Sequence, residues 1–152
     1  MKKLMSLLII SALLASCQSE VVESEDSKFS LASSTSDMFG KWNFKTYSDG
    51  KGHKYDVTLE LKDERASGGE LLMSGRSSVN FYTAVFKFEN DKIKIGPVGL
   101  TKIAGPPDAL EFELNYIENL RQVEKVELKD KNTMLLHLSA PSKEVMTFTR
   151  SN

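Results

Sequence analysis

Tyr55-Asp56-Val57-Thr58-Leu59-Glu60-Leu61-Lys62 alternates apolar and polar residues without a fault. Tyr55, Val57, Leu59 and Leu61 fall on one face, and the polar residues fall on the other. A period of two belongs to a strand with one buried and one wet face, the usual condition of an antiparallel sheet. The pattern recurs on both sides of this stretch. Upstream, Lys41 to Tyr47 places Trp42, Phe44 and Thr46 together, and Ser48-Asp49-Gly50-Lys51-Gly52 turns the chain. Downstream, Ser67-Gly68-Gly69 is a turn, Glu70 to Ser74 a short strand and Arg76-Ser77-Ser78 a loop. Phe81 to Phe88 is a strand with Ala84, Phe86 and Phe88 inward. Asn90-Asp91 turns into Lys92-Ile93-Lys94-Ile95, Gly96-Pro97 ends that strand, and Val98 to Ile103 reads as extended.

One helix interrupts the strands. Asp108 follows Pro106-Pro107 as the expected N-cap, with Glu111 completing a capping box. Leu110, Leu114, Ile117 and Arg121 form the expected core stripe, widened by Ala109, Phe112, Tyr116 and Leu120. Val123 to Leu128, Thr133 to Leu138 and Glu144 to Thr149 then read as closing strands, with turns at Asp130-Lys131-Asn132 and Ala140-Pro141-Ser142. A helix that occurs once among antiparallel strands builds no parallel sheet. The expected fold is α+β and mainly β: about eight strands in a curved antiparallel sheet or open barrel, with one packed helix near residues 108–121. Asp37-Met38-Phe39-Gly40 is expected to form a helical turn at the entrance to the domain.

The N-terminus addresses the chain to a membrane. Lys2 and Lys3 precede an uncharged apolar run from Leu4 to Leu14, and Leu14-Ala15-Ser16-Cys17 has the form of a lipobox. The run is shorter than the roughly 20 apolar residues a spanning helix needs, and polar, acidic residues follow it. Residues 1–16 are thus expected to be a lipoprotein signal peptide, with lipidation at Cys17. Residues 17–36, rich in Ser and acid, are expected to be a lipidated flexible tether, and residues 37–152 one domain. Attached acyl chains would hold the protein at a bilayer in the cell envelope. Gln18, where an Asp would signal retention at the inner membrane, favours the outer membrane in a Gram-negative cell.

Composition and motifs point away from chemistry. Without Lys2 and Lys3 the chain has 18 basic and 21 acidic residues and no basic stripe, which disfavours nucleic acid as a partner. Cys17 is the only cysteine, so the domain has no disulfide. His53, beside a Gly-rich turn, is expected to be solvated, and His137 to face away from Leu136 and Leu138; no metal site and no cofactor are expected. No Gly-x-Ser-x-Gly elbow or phosphate loop is present, and no Asp or Glu is expected in an apolar setting, so no enzyme is expected. Trp42, Phe44, Phe81, Phe86, Phe88, Phe112, Tyr116 and Phe148 either fill the core or line a hollow barrel.

Several short runs recur in a recognisable order: Phe39-Gly40-Lys41-Trp42, Ser74-Gly75 ahead of Asn80-Phe81-Tyr82, Lys92-Ile93-Lys94-Ile95-Gly96-Pro97, Leu100-Thr101-Lys102-Ile103-Ala104, a helix carrying Leu120, and Val145-Met146-Thr147-Phe148-Thr149-Arg150. From about residue 37 to 150 the chain resembles the META/HslJ-like domain family, small envelope domains often found in bacterial lipoproteins. Many members carry Gly-Cys-Asn where this chain has Ser78-Val79-Asn80, and Met-Ala-Cys where it has Ile103-Ala104-Gly105. Val79 and Gly105 therefore replace two family cysteines. The resemblance marks Trp42, Asn80, Tyr82 and Thr101 as motif or binding positions; Asn80 is expected either to hold backbone or to touch a ligand. It implies a non-catalytic envelope lipoprotein that binds a protein partner or supports stress tolerance. Two other readings stay open: a pilotin-like carrier of an apolar ligand or acyl chain, and an inhibitor of an exogenous enzyme presenting the loops 75–80 and 96–107.

Overall fold

The computed structural model describes residues 35–50, 52–89 and 92–151. The expected signal peptide, Cys17, almost all of the tether and the Asn90-Asp91 turn lie outside them. A helical turn, α1 (residues 35–38), leads into nine antiparallel strands: β1 (Gly40–Thr46), β2 (Thr58–Arg65), β3 (Leu71–Arg76), β4 (Phe81–Glu89), β5 (Lys92–Ile95), β6 (Gly99–Leu100), β7 (Val123–Asp130), β8 (Thr133–Leu138) and β9 (Val145–Arg150). A fifteen-residue helix, α2 (Pro107–Arg121), lies between β6 and β7. The mainly β, α+β reading holds, with nine strands for the expected eight; one of them, β6, is a two-residue ladder within the segment 98–103.

The strands run in the order β5-β4-β3-β2-β1-β9-β8-β7, with β6 paired to β4 beside β5. The sheet curls into a nearly closed barrel. Its two ends, β5 and β7, share no ladder, and an ion pair from Lys92 to Glu124 (3.1 Å) joins them. Each strand sends alternate side chains inward, so Trp42, Phe44, Leu59, Leu61, Met73, Tyr82, Phe86, Met134, Leu136, Met146 and Phe148 converge in one core. Burying each of the larger side chains stabilises the fold by about 1.5–3 kcal/mol. The rings interlock: Phe44 lies 5.3 Å from Phe148 and 5.6 Å from Tyr116, in tilted or edge-on pairs. Thr46 leaves the inward face expected for it because a bulge between Phe44 and Thr46 shifts the register against β9.

Arg150, at the end of β9, ties down the entrance. Its guanidinium stacks 4.1 Å from the Trp42 ring and donates to the carbonyls of Asp37, Phe39 and Lys131. Trp42 Nε1 donates to the Met38 carbonyl at 2.9 Å. α1 is thus fixed to the sheet by the last strand of the domain.

The helix differs from expectation in its start and at one edge of its buried face. It begins at Pro107, where a missing N–H costs nothing, and Pro106 is its N-cap, so Asp108 forms no capping box with Glu111. Asp108 instead accepts from Lys54 Nζ (2.7 Å) and the Tyr55 hydroxyl (2.8 Å). The buried face is Ala109, Glu113, Tyr116, Ile117 and Leu120; Leu114 is 67% exposed and Arg121 is exposed. The apolar face is broad, so periodicity alone does not fix its centre, and Glu113 with its own partners marks the inward side.

The bonds from Lys54 and then Tyr55 hold the Asp108 carboxyl down at about 2, against its usual 3.8. A group whose folded value is depressed contributes stability that is complete above the unfolded value and is lost as pH falls through the folded one. The contribution of Asp108 should therefore fade between about pH 4 and pH 2. Acid titrations of unfolding should show a shallower loss across that window in Asp108→Asn than in the parent chain; identical slopes would contradict the assignment.

Candidate functional site

The motif residues meet where the β3–β4 loop, the segment after β6 and α2 come together. Ser77, Ser78 and Asn80 are buried although they lie in a loop, and each has partners that explain it. The Glu113 carboxylate is 4% exposed. Its Oε2 accepts from Ser77 Oγ (2.8 Å) and the Asn80 backbone N–H (2.8 Å), and its Oε1 accepts from Asn80 Nδ2 (2.8 Å). Ser78 Oγ donates to the Ala109 carbonyl at 2.8 Å, binding the loop to the first turn of α2. A buried acidic residue was not foreseen from sequence; Glu113 is one, in a polar setting built by its own chain. Three donors of its own chain enclose its oxygens, the arrangement that lets a carboxyl group remain inside a fold.

Asn80 is the hub. Its Nδ2 donates to Glu113 and to the Ile103 carbonyl (3.3 Å), while its Oδ1 accepts from Thr101 Oγ1 (2.8 Å) and the Ile103 N–H (2.7 Å). Both donor hydrogens and both acceptor sites of the amide are occupied. Thr101 closes the motif by accepting the Phe81 N–H at its hydroxyl (3.1 Å) and giving its own N–H to the Phe81 carbonyl (3.0 Å). The Tyr82 hydroxyl donates to the Thr58 carbonyl (2.9 Å), which leaves the Tyr116 hydroxyl, 3.0 Å away, to donate to Tyr82. Burial drives both phenols above their ordinary value, so neither serves as an acid near neutrality. Gly75 is required beside this pair: a Cβ there would run into the Thr58 carbonyl oxygen and lie 2.6 Å from the Tyr82 ring.

Val79 and Gly105, at the two family cysteine positions, are neighbours. A Cβ added to Gly105 would lie 3.3 Å from Val79 Cβ and 2.6 Å from its Cγ2. The valine methyls occupy the space that a second side chain would need, so the pair is matched in volume.

A sequence model of the META domain matches residues 36–152. The chain belongs to the META domain family. A similar solved structure is an NMR structure of a protein from Burkholderia xenovorans, with 23% sequence identity, a TM-score of 0.61, and coverage of 80% of this chain and 88% of that one. A second NMR structure is 16% identical, with a TM-score of 0.52, covering 72% of this chain and 86% of that one. At these identities the likeness concerns the fold. No curated protein matches the chain.

Of the motif residues of this META domain, Asn80, Tyr82 and Trp42 point inward, and the Thr101 hydroxyl is turned onto Asn80. The structure joins Asn80 and Thr101 in one network, pairs Tyr82 with Tyr116 beside it, and sets Trp42 apart, under Arg150. Ser77 and Glu113 belong to the Asn80 network and Tyr116 to the Tyr82 pair; all three were missed as polar partners from sequence. The signal for Glu113 was its place four residues after Ala109 and three before Tyr116, on a stripe otherwise small or apolar. His53 is also corrected. It is half-buried rather than solvated, stacked 4.9 Å from Phe44 and 5.4 Å from Phe112, with Nε2 3.0 Å from the Phe44 carbonyl. It seals an aromatic shelf made with Tyr47 and Tyr55. Phe81, counted in the aromatic interior, is outside it and 54% exposed.

Proposed function

We propose that this META domain protein is a non-catalytic lipoprotein of the cell envelope, held at a membrane through acyl chains on Cys17, whose domain recognises a protein partner and supports envelope tolerance of stress. The observation that carries the non-catalytic reading is Asn80. All four of its hydrogen-bonding positions are used inside the fold, and Glu113 beside it is enclosed by donors from its own chain. Polar groups committed in this way hold loops in place and are not themselves free to act as acid, base or nucleophile. Recognition then rests on the outer surface. The interlocked rings of Phe44, Tyr116, Phe148 and Tyr82 occupy the middle of the barrel and weigh against the apolar-carrier reading. The lipobox supports the anchor, and Gln18 supports the outer membrane in a Gram-negative cell.

The reading is tested by fractionating cells that express the chain and its Cys17→Ser variant. The parent should partition with membranes and yield an acylated N-terminal peptide starting at Cys17; the variant should keep its leader and gain no acyl mass. Equal partitioning with an unmodified thiol in the parent would refute the anchor. Cross-linking in intact envelopes should then recover a discrete protein adduct of the parent, and an adduct-free result would refute the partner.

A further inference from the structure

The outer face of β1 to β4 carries two adjacent rows of side chains set by the strand register. One row runs Lys41, Glu60, Ser74, Thr83; the other runs Asn43, Thr58, Arg76, Phe81. Each row crosses four strands, about 14 Å. Between them lies a shallow groove of 370 Å³, lined also by Ser151 and bounded by Phe81. This volume is within the range of small-ligand sites. Among the described residues, no hydrogen bond engages the side chains of Asn43, Ser74 or Thr83. Thr58 Oγ1 accepts the Arg76 N–H (3.1 Å), which leaves its hydroxyl hydrogen uncommitted.

We propose that this groove binds an uncharged, extended, β-linked oligosaccharide. A sugar ring has an apolar C–H face and an equatorial girdle of hydroxyls. The groove offers a half-exposed aromatic ring for the first, and short hydroxyls with one carboxamide, each able to donate and accept, for the second. Its charge is balanced locally: Lys41 stands opposite Glu60, and Arg76 pairs with Asp56 at 3.2 Å. No net field selects an ion. An added peptide strand is disfavoured because the backbone of β2 and β3 is paired on both sides, leaving no ladder to extend. Phe81 is held by the Thr101 hydroxyl and by the Arg76 guanidinium, 5.8 Å from its ring, so the platform is built before a ligand arrives. This site lies beyond the protein-partner reading and does not depend on it.

The test uses the full chain in a detergent without a sugar head group, titrated calorimetrically with chitohexaose and cellohexaose, and with maltohexaose as an α-linked, coiled counterpart. Saturable binding of at least one β-linked hexamer, with maltohexaose weaker, is the expected result. Phe81→Ala should weaken it roughly tenfold, the upper size of a lost aromatic stacking contact. Ser74→Arg, which fills the groove from an outward position, should abolish it. Both variants should keep the parent's near-ultraviolet circular dichroism, since neither side chain enters the core. No saturable heat with either β-linked hexamer overturns the proposal, as does binding that neither variant changes. A defined protein adduct from a photo-crosslinker at position 81, with no hexamer bound, also overturns it and gives the face to a protein.

Discussion

Replacing Glu113 with Ala should cost about 3–5 kcal/mol of folding stability, the range found when one partner of a buried charged cluster is removed. For a domain of this size that is a fall in midpoint of roughly 10–20 °C. The cost comes from the groups left behind. The Asn80 N–H and one hydrogen of Asn80 Nδ2 would lose their acceptor inside the fold, and Ser77 Oγ would keep only the Asn80 carbonyl, at 3.0 Å. Asn80 in turn positions Thr101 and Ile103, so the loosening should spread to the segment after β6. Glu113→Gln separates charge from geometry. Its oxygen can still accept from Ser77 and the Asn80 backbone, but its NH₂ would oppose Asn80 Nδ2, and a loss of about 1–3 kcal/mol is expected. Thermal unfolding of the two variants should rank them parent, Gln, Ala. Hydrogen exchange at Thr101 and Ile103 should accelerate in the Ala variant. An Ala variant as stable as the parent would mean that the carboxylate is dispensable.

The paired substitution Val79→Cys with Gly105→Cys should form a disulfide and raise stability by about 3 kcal/mol. The geometry is close to what the bond needs. The two Cβ atoms would stand 3.3 Å apart, against the roughly 3.5–4.5 Å of a disulfide, so the loops must open by only a few tenths of an ångström. Removing the valine methyls relieves the crowding that Gly105 now accommodates. The gain comes mainly from the unfolded chain, in which a closed loop of about 27 residues has fewer conformations. The oxidised double variant should weigh less by the pair of thiol hydrogens and unfold at a higher temperature, and reduction should remove the gain. Gly105→Cys alone, with Val79 in place, should be destabilised by overpacking. Failure of the pair to oxidise would mean that the two loops are not held as close as described.

Strand positions were legible because alternation is local. Val57, Leu59 and Leu61 are buried as the pattern requires, and Lys92–Ile95 and Thr133–Leu138 have their expected bounds. Residues 98–103, read as extended, form a ladder only at Gly99 and Leu100, where Thr83 and Tyr82 are in reach. The helix was placed correctly, and Ala109, Tyr116, Ile117 and Leu120 are buried on the expected broad face. Its edge differs: Leu114 and Arg121 are exposed, and Glu113, which has partners on another element, takes an inward place. Phe81 shows the converse: an aromatic residue counted toward the core lies outside, because Tyr82 next to it takes the inward position and successive strand residues face opposite ways.

The sequence by itself determined that this chain is an antiparallel, mainly β META domain with one late helix, because periodicity and turn chemistry act over a few residues and need no knowledge of distant neighbours. Only the tertiary structure decided that Asn80 is spent on its own fold, that Glu113 lies inside it, that Val79 faces Gly105, and that Phe81 with Asn43, Ser74 and Thr83 forms an outward groove. Each of these joins residues far apart in the chain. The pairing is set by strand register and by the docking of α2, which depend on the whole core packing at once.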